Sequence, residues 1–391
     1  MKRYGILILM AFALMTSFAQ NKEFTLEDLN FGGTNFRQMS PERVYMTWWG
    51  DELIKTELDK CFVINKSNGK KSELFNLDQI NQWAGLEGKD KLTYIYGVTF
   101  PYSEKPIALF QNSNKRMMID FKQHKLIWSQ VSADQEFTDW NKGSRAVAYV
   151  NNDNLFVMDG KGKVSQLSKD GCHDIVYGQS VHRDEFGIYK GTFWSDNGEK
   201  LAFYRMDQSM VKDYPLVDID TREAELAPTK YPMAGMTSHK VTVGIYDLAS
   251  GKTIYLKAGD PTDRYFTNIS WSPDAKTLYL IEVNRDQNHS QLCAYDAETG
   301  DMKKVLYEER HDKYVHPENP IVFLPWDSSK FLMQSDKDGF RHLYLMNTNG
   351  KMLKQVTKGK WTILSFIGFD VKNKSAIIAS SEAGDIQRNV Y

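Results

Sequence analysis

Two adjacent carboxylates, Asp184 and Glu185, stand inside the run His182-Arg183-Asp184-Glu185-Phe186-Gly187. A peptide α-ammonium titrates near about pH 8, so it is largely cationic at neutral pH. Two carboxylates at one end of a closed cleft can hold that cation by charge-assisted hydrogen bonds. Such a clamp reads a free amino end and sets how many residues separate it from a reacting bond. On charge pattern alone, the simpler reading is a solvated acidic pair with Arg183 neutralising one member. The run has no strong period, which predicts a helical turn or loop projecting from a sheet.

Little else in the chain is placed for chemistry. A nucleophile elbow needs G-x-S-x-G, and the nearest run, Gly178-Gln179-Ser180-Val181-His182, lacks the second glycine and precedes a β-repeat rather than a helix. Eight histidines are scattered, and none sits in an H-E-x-x-H pair, which disfavours a metallopeptidase. His182 neighbours the acids, but a lone loop histidine is more often structural. There is no glycine-rich phosphate loop. Cys61, Cys172 and Cys293 are too far apart for a zinc site, and their odd number leaves a thiol unpaired; buried free cysteine is the expectation. No catalytic residue, metal or cofactor is therefore predicted. The net charge of −1 gives no reason to expect nucleic acid.

The elements that must carry the acids are read from punctuation and period. Lys2 and Arg3, the apolar run Ile6 to Met15 and the small residues Ser17-Phe18-Ala19 form a signal peptide over residues 1–19. That run is too short to span a bilayer, so export to the periplasm or the extracellular space is expected, with no membrane span. Thr25 caps a short helix from Leu26, and Asn76 caps another that runs to about Trp83 and ends at Gly85. Beyond residue 90 the pattern changes to short apolar runs between turn residues. Phe193-Trp194-Ser195-Asp196-Asn197-Gly198 precedes the apolar run Leu201 to Tyr204, and Ser270-Trp271-Ser272-Pro273-Asp274 precedes Leu278 to Leu280. Weaker copies surround Trp140, Trp326 and Phe369. Second hairpins follow at Tyr246 to Lys252, Tyr295 to Gly300 and Met346 to Lys351. Two hairpins per unit make four strands, and recurring four-stranded units predict an all-β protein, a β-propeller with short N-terminal helices. A β-sandwich with fortuitous repeats is the alternative.

The segment from Val181 to Val211 resembles the substrate-anchoring segment of prolyl dipeptidyl and tripeptidyl peptidases, relatives of dipeptidyl peptidase IV. The likeness rests on Asp184-Glu185-Phe186-Gly187, on Trp194-Ser195 and on Phe203-Tyr204-Arg205-Met206-Asp207. It continues at Tyr231-Pro232-Met233-Ala234-Gly235, Val241 to Tyr246, Val283 to Asn288 and Asp338 to Tyr344. The resemblance implies that Glu185 is the anchoring glutamate, with Asp184 where dipeptidyl types carry a second acid, and that the substrates are peptides with a free amino terminus and a nearby proline. It implies an eight-bladed propeller, incomplete here, over residues 20–391, and a C-terminal α/β-hydrolase domain with the serine, aspartate and histidine, absent from these 391 residues. On that reading the chain is a fragment that does not cut alone. A homodimer is a further implication. The family also uses an arginine on a substrate carbonyl, for which Lys115 and Arg116 lie in the right region without a match that assigns either. A stand-alone exported propeller that binds peptide or protein without catalysis is the second functional reading.

Overall fold

The computed structural model describes residues 23–39, 44–111 and 114–391. The signal-peptide segment 1–19 lies outside the described residues. Two compact units are present, Met1–Gln111 with Met117–Trp128, and Asn112–Arg116 with Ser129–Tyr391.

The first unit contains the predicted helices. In the helix Leu26–Leu29, the Thr25 hydroxyl accepts from the Asp28 N–H while the Asp28 carboxylate accepts from the Thr25 N–H. The helix Leu77–Trp83 is capped by Asn76 and Gln79 in the same reciprocal way, and Gly85 follows it in the left-handed conformation. Four antiparallel strands, Tyr45–Trp49, Glu52–Thr56, Lys60–Ile64 and Lys71–Asn76, form the first sheet. The second sheet has three, Ile107–Gln111, Lys115–Asp120 and Lys125–Val131. Ile54, Phe75, Ile80, Phe110, Met117 and Ile119 share one buried core.

The second unit strings together five blade-like sheets in chain order, with a two-stranded hairpin arm over 213–230. The third sheet is Glu136–Trp140, Val147–Asn151, Asn154–Met158 and Val164–Gln166. The fourth is built on Lys200–Asp207, Lys240–Asp247 and Thr253–Tyr255, the fifth spans 264–310, the sixth 322–355 and the seventh 363–390. Buried residues join each of these sheets to the next: Val157 with Phe203, Tyr204 with Phe266, Tyr279 with Phe331, and Leu332 with Ile378. A succession of antiparallel meanders packed face to face in chain order is the way propeller blades are built. The described chain is thus mostly β, in seven blade-like sheets with few helices. None of its helices is long and apolar enough to cross a membrane.

The repeated Trp-Ser turns have a definite job. The Trp194 indole N–H donates to the Asp139 carbonyl (2.9 Å), and Trp271 donates to the Phe193 carbonyl (2.9 Å). Each tryptophan therefore stitches its sheet to the residue just before the tryptophan of the preceding sheet. The serines close their own hairpins: the Ser195 hydroxyl accepts from Lys200 N–H (3.0 Å), and Ser272 accepts from Thr277 N–H (2.9 Å). The weaker copies also lie at hairpins, although Trp326 falls inside its turn and packs edge-on against Phe369 of the next sheet. Cys61 and Cys293 are buried and free, as expected, and burial pushes the Cys61 thiol up to about 12; Cys172, by contrast, is exposed.

Candidate functional site: a pinched acidic loop

The first strand of the fourth sheet is interrupted. Ile175–Tyr177 pairs with residues 205–207 of the strand Lys200–Asp207, and Thr192–Trp194 pairs with residues 201–203. Residues 178–191 leave the sheet between these half-strands. Both ends of the excursion bond to Tyr204: the Gly178 N–H donates to its carbonyl, and its N–H donates to the Gly191 carbonyl, each at 2.9 Å. A Cβ on Gly191 would lie 2.1 Å from the Gln179 carbonyl oxygen, so only glycine lets the neck close. Loops whose ends meet in this way are frequently functional.

The loop backbone is unusual. His182, Arg183, Asp184 and Phe186 have φ of 55°, 56°, 62° and 55°, while Glu185 is extended. The expected projecting turn is present, but it winds left-handed. Each non-glycine residue there costs about 1–2 kcal/mol, and contacts from distant segments hold it. His182 is buried, with Nδ1 2.9 Å from His239 Nε2 and its ring against Tyr265. Phe186 is buried against the same tyrosine, and its carbonyl accepts from the Thr267 hydroxyl at 2.8 Å. Burial holds both imidazoles in the neutral form. It lowers His182 well below its usual value, with His239 contributing, and lowers His239 to about 4, with Arg183 and Arg285 contributing.

The buried residues on either side leave Arg183, Asp184 and Glu185 exposed. Arg183 does not neutralise its neighbours. Its guanidinium stacks on Tyr231 at 4.6 Å and donates to the Lys230 carbonyl at 2.6 Å. The two acids are held separately. Ser180 donates its hydroxyl to Asp184, and this side of the loop borders a cavity of about 210 Å³ that also touches Lys230 and His239. Glu185 Oε2 instead accepts from Gln287 Nε2 at 2.7 Å. Gln287 is itself fixed on both sides, its N–H donating to the Asn284 carbonyl (2.9 Å) and its carbonyl accepting from Val315 N–H (2.7 Å). Glu185 therefore presents an oriented carboxylate whose other oxygen has no hydrogen-bond partner among the described residues. That arrangement suits a cationic group arriving from solvent.

The run nearest to a nucleophile elbow is part of this loop, and Ser180 serves Asp184 rather than a base. Arg116 is buried and donates to Gln135 (2.8 Å), with Nε and Nη2 unpartnered, and it makes no bond to the acidic loop. Residue types alone pointed to Asp184 and Glu185. They did not point to Gln287, His239 or the Gly178–Gly191 neck. The Val283 to Asn288 stretch was part of the family likeness, yet nothing in it marked Gln287 as the partner of Glu185.

Comparison with known proteins places the chain in a family. The family model for the dipeptidyl peptidase IV N-terminal region matches residues 109–391. A protein of Talaromyces marneffei assigned as a dipeptidyl-aminopeptidase B is 26% identical over 286 residues, 66% of this chain and 32% of its own length. A crystal structure of a protein assigned as a dipeptidyl aminopeptidase IV from Bacteroides ovatus superposes with a TM-score of 0.87 at 46% identity, covering 94% of this chain and 54% of that one. Porphyromonas gingivalis dipeptidyl peptidase 4 shares the fold, with a TM-score of 0.72 at 21% identity over 95% of this chain and 54% of that one. The chain thus spans about a third of the length of such a curated relative and about half of each solved chain.

Proposed function

Because the chain belongs to the family of dipeptidyl peptidase IV N-terminal regions, we propose that its acidic loop captures the free amino terminus of peptides through Glu185, with Asp184 as an auxiliary acid. The observation that carries this is the Glu185 carboxylate, exposed on a pinched loop, oriented by Gln287 and paired with no cation among the described residues. An ammonium is the ligand that such a group takes with least rearrangement. In a whole peptidase, fixing the amino end fixes which bond reaches the nucleophile, so binding geometry makes the enzyme an exopeptidase.

The finer features belong to the same proposal. The working enzyme is an exported serine peptidase of prolyl dipeptidyl or tripeptidyl type. Its propeller has eight blades and acts beside an α/β-hydrolase domain. The assembly is a homodimer, which the exposed apolar residues Leu216, Val217, Ile219 and Leu226 of the hairpin 213–230 support.

The test is direct binding. Short proline-containing peptides with a C-terminal fluorophore are titrated with the chain, with the amino end free or acetylated. A charge-assisted hydrogen bond contributes about 1.5–3 kcal/mol, so Glu185→Gln should weaken the free-amino peptide about tenfold to a hundredfold and leave the acetylated one unchanged. Equal binding of the free-amino peptide by wild type and Glu185→Gln would remove the anchoring assignment.

A further inference from the structure

A second site lies between the third and fourth sheets, at the Lys200 end of the strand Lys200–Asp207 rather than at the Tyr204 neck. Three hairpin turns meet there: residues 141–146 and 159–163 of the third sheet, and 247–252 of the fourth. They enclose an open cavity of about 470 Å³, within the size range of small-molecule pockets. The turns are closely fitted. A Cβ on Gly160 would lie 2.6 Å from the Ser144 carbonyl oxygen, so the glycine lets one turn rest against the other.

The charge in this cavity is one-sided. Arg145, Lys161 and Lys163 line it with a single acid, Asp159. That acid is already engaged, because Asp159 Oδ1 accepts from the N–H groups of Lys161 and Lys163, both at 2.9 Å. Among the described residues, none of the three basic side chains has a hydrogen-bond or ion-pair partner. For Arg145 this sets it apart from the other half-buried arginines of the unit. Arg205 holds Asp170, Arg264 holds Glu282, Arg285 holds Asp263, and Arg341 holds Asp336 and Glu318. Arg145 is also half-buried, yet it holds nothing. Its backbone is left-handed, with φ 57°, a conformation that costs free energy and that clusters at ligand-binding positions. The hydroxyl of Ser165 lines the same cavity.

We infer that this cavity binds a small ligand bearing a phosphate or sulfate group, with Arg145 as the principal contact. The guanidinium fork matches two oxygens of a tetrahedral oxyanion, and the two lysines add charge on a single turn. The volume exceeds what a bare ion fills, so the oxyanion is carried on an organic body of roughly sugar size. The site is separate from the acidic loop, and its occupancy does not depend on what Glu185 binds.

Isothermal titration of the full chain at low salt tests this, with inorganic phosphate, inorganic sulfate and a sulfated disaccharide as probes. Saturable one-to-one binding is expected. Arg145→Gln should weaken it about tenfold or more, and Lys161→Gln about threefold. Raising salt should weaken it further, as for any exposed ion contact. Binding of the inorganic ions as tightly as the disaccharide would keep the oxyanion subsite but overturn the organic body inferred from the volume. Binding of the disaccharide alone would assign it to an anionic saccharide. Lys163→Gln, at an exposed position, serves if Arg145→Gln does not fold. No saturable heat with any probe, or binding unchanged in the folded variants, overturns the inference.

Discussion

The hairpin at Ser195 and the loop 178–191 both spring from the short strand Thr192–Trp194, and they are held in opposite ways. Most bonds that close the hairpin turn are local, although Asn141 Nδ2 donates to the Ser195 carbonyl (3.2 Å) and Leu248 N–H to the Glu199 carbonyl (2.9 Å) from other strands. Ser195 N–H donates to the Lys200 carbonyl (2.9 Å), Gly198 N–H to the Ser195 carbonyl (2.8 Å), and Glu199 N–H to Asn197 Oδ1 (3.1 Å). The loop has a few bonds of its own, but it takes most of its anchoring from far along the chain, from Tyr204, Lys230, His239, Thr267 and Gln287. Most of what closes the hairpin lies within five or six successive residues. The loop keeps its left-handed winding only while the rest of the unit is folded around it. Recurring structure can be encoded largely locally, whereas the one-off geometry of this loop is imposed from outside it.

The strongest way to break this contrast is at the neck. Gly191→Ala puts a methyl group against the Gln179 carbonyl, and the backbone must part from Tyr204 to make room. A loss of about 3–5 kcal/mol is expected, at the upper end for single substitutions. It should appear as a lower denaturant midpoint together with loss of discrimination between free and acetylated peptides. A variant of unchanged stability and discrimination would mean that the neck does not shape the loop.

A smaller effect is expected from acid. His182 and His239 are held below their unfolded value of about 6.5, so the unfolded chain binds their protons more readily. The stability tied to their neutral state is complete above about pH 6.5 and is lost as pH falls toward about 4, the value for His239. For His239 the full loss is at most about 3 kcal/mol. Carboxylates held low, such as Asp327 at about 2, respond mainly at the acid end, below about pH 5. Urea titrations between pH 7.5 and about 4.5 should show the decline, and His239→Gln should flatten it. A wild-type profile that is flat over this range would show that the imidazoles are open to water.

The smallest effect sharpens the local side of the comparison. Ala275 occupies, after Ser272, the place that Gly198 occupies after Ser195, and both are left-handed, with φ of 55° and 72°. Ala275→Gly relieves about 1–2 kcal/mol of backbone strain, costs about 0.4–1 kcal/mol through the freer unfolded chain, and gives up a buried methyl group, about 0.8 kcal/mol more. These terms nearly cancel, so the melting temperature should stay almost unchanged, with peptide binding untouched. A loss of more than about 1 kcal/mol would mean that the two turns are not equivalent.

Much of the fold was legible because its signals are short-range. Thr25 and Asn76 marked helix starts because a capping side chain reaches only the first turn. Trp194-Ser195 and Trp271-Ser272 marked blade hairpins because each serine bonds within its own turn. Even so, the reach of each indole into the preceding sheet was invisible in the repeat itself. The site was legible only as a pair of charges. That Asp184 and Glu185 part company, one to Ser180 and one to Gln287, depends on a partner 102 residues away. No spacing rule connects positions that far apart.

The sequence by itself determined an all-β chain of repeated hairpins, capped helices near its start, and an acidic pair next to a Trp-Ser strand. Local hydrogen bonds and a period-two pattern suffice for those, since each closes within a few residues. Only the tertiary structure decided the neck on Tyr204, the neutral histidine pair beneath the loop and the orientation of Glu185. Each of these is a bond between segments that meet solely because neighbouring sheets bury their apolar faces against one another, and burial is a property of the packed unit rather than of any stretch of residues.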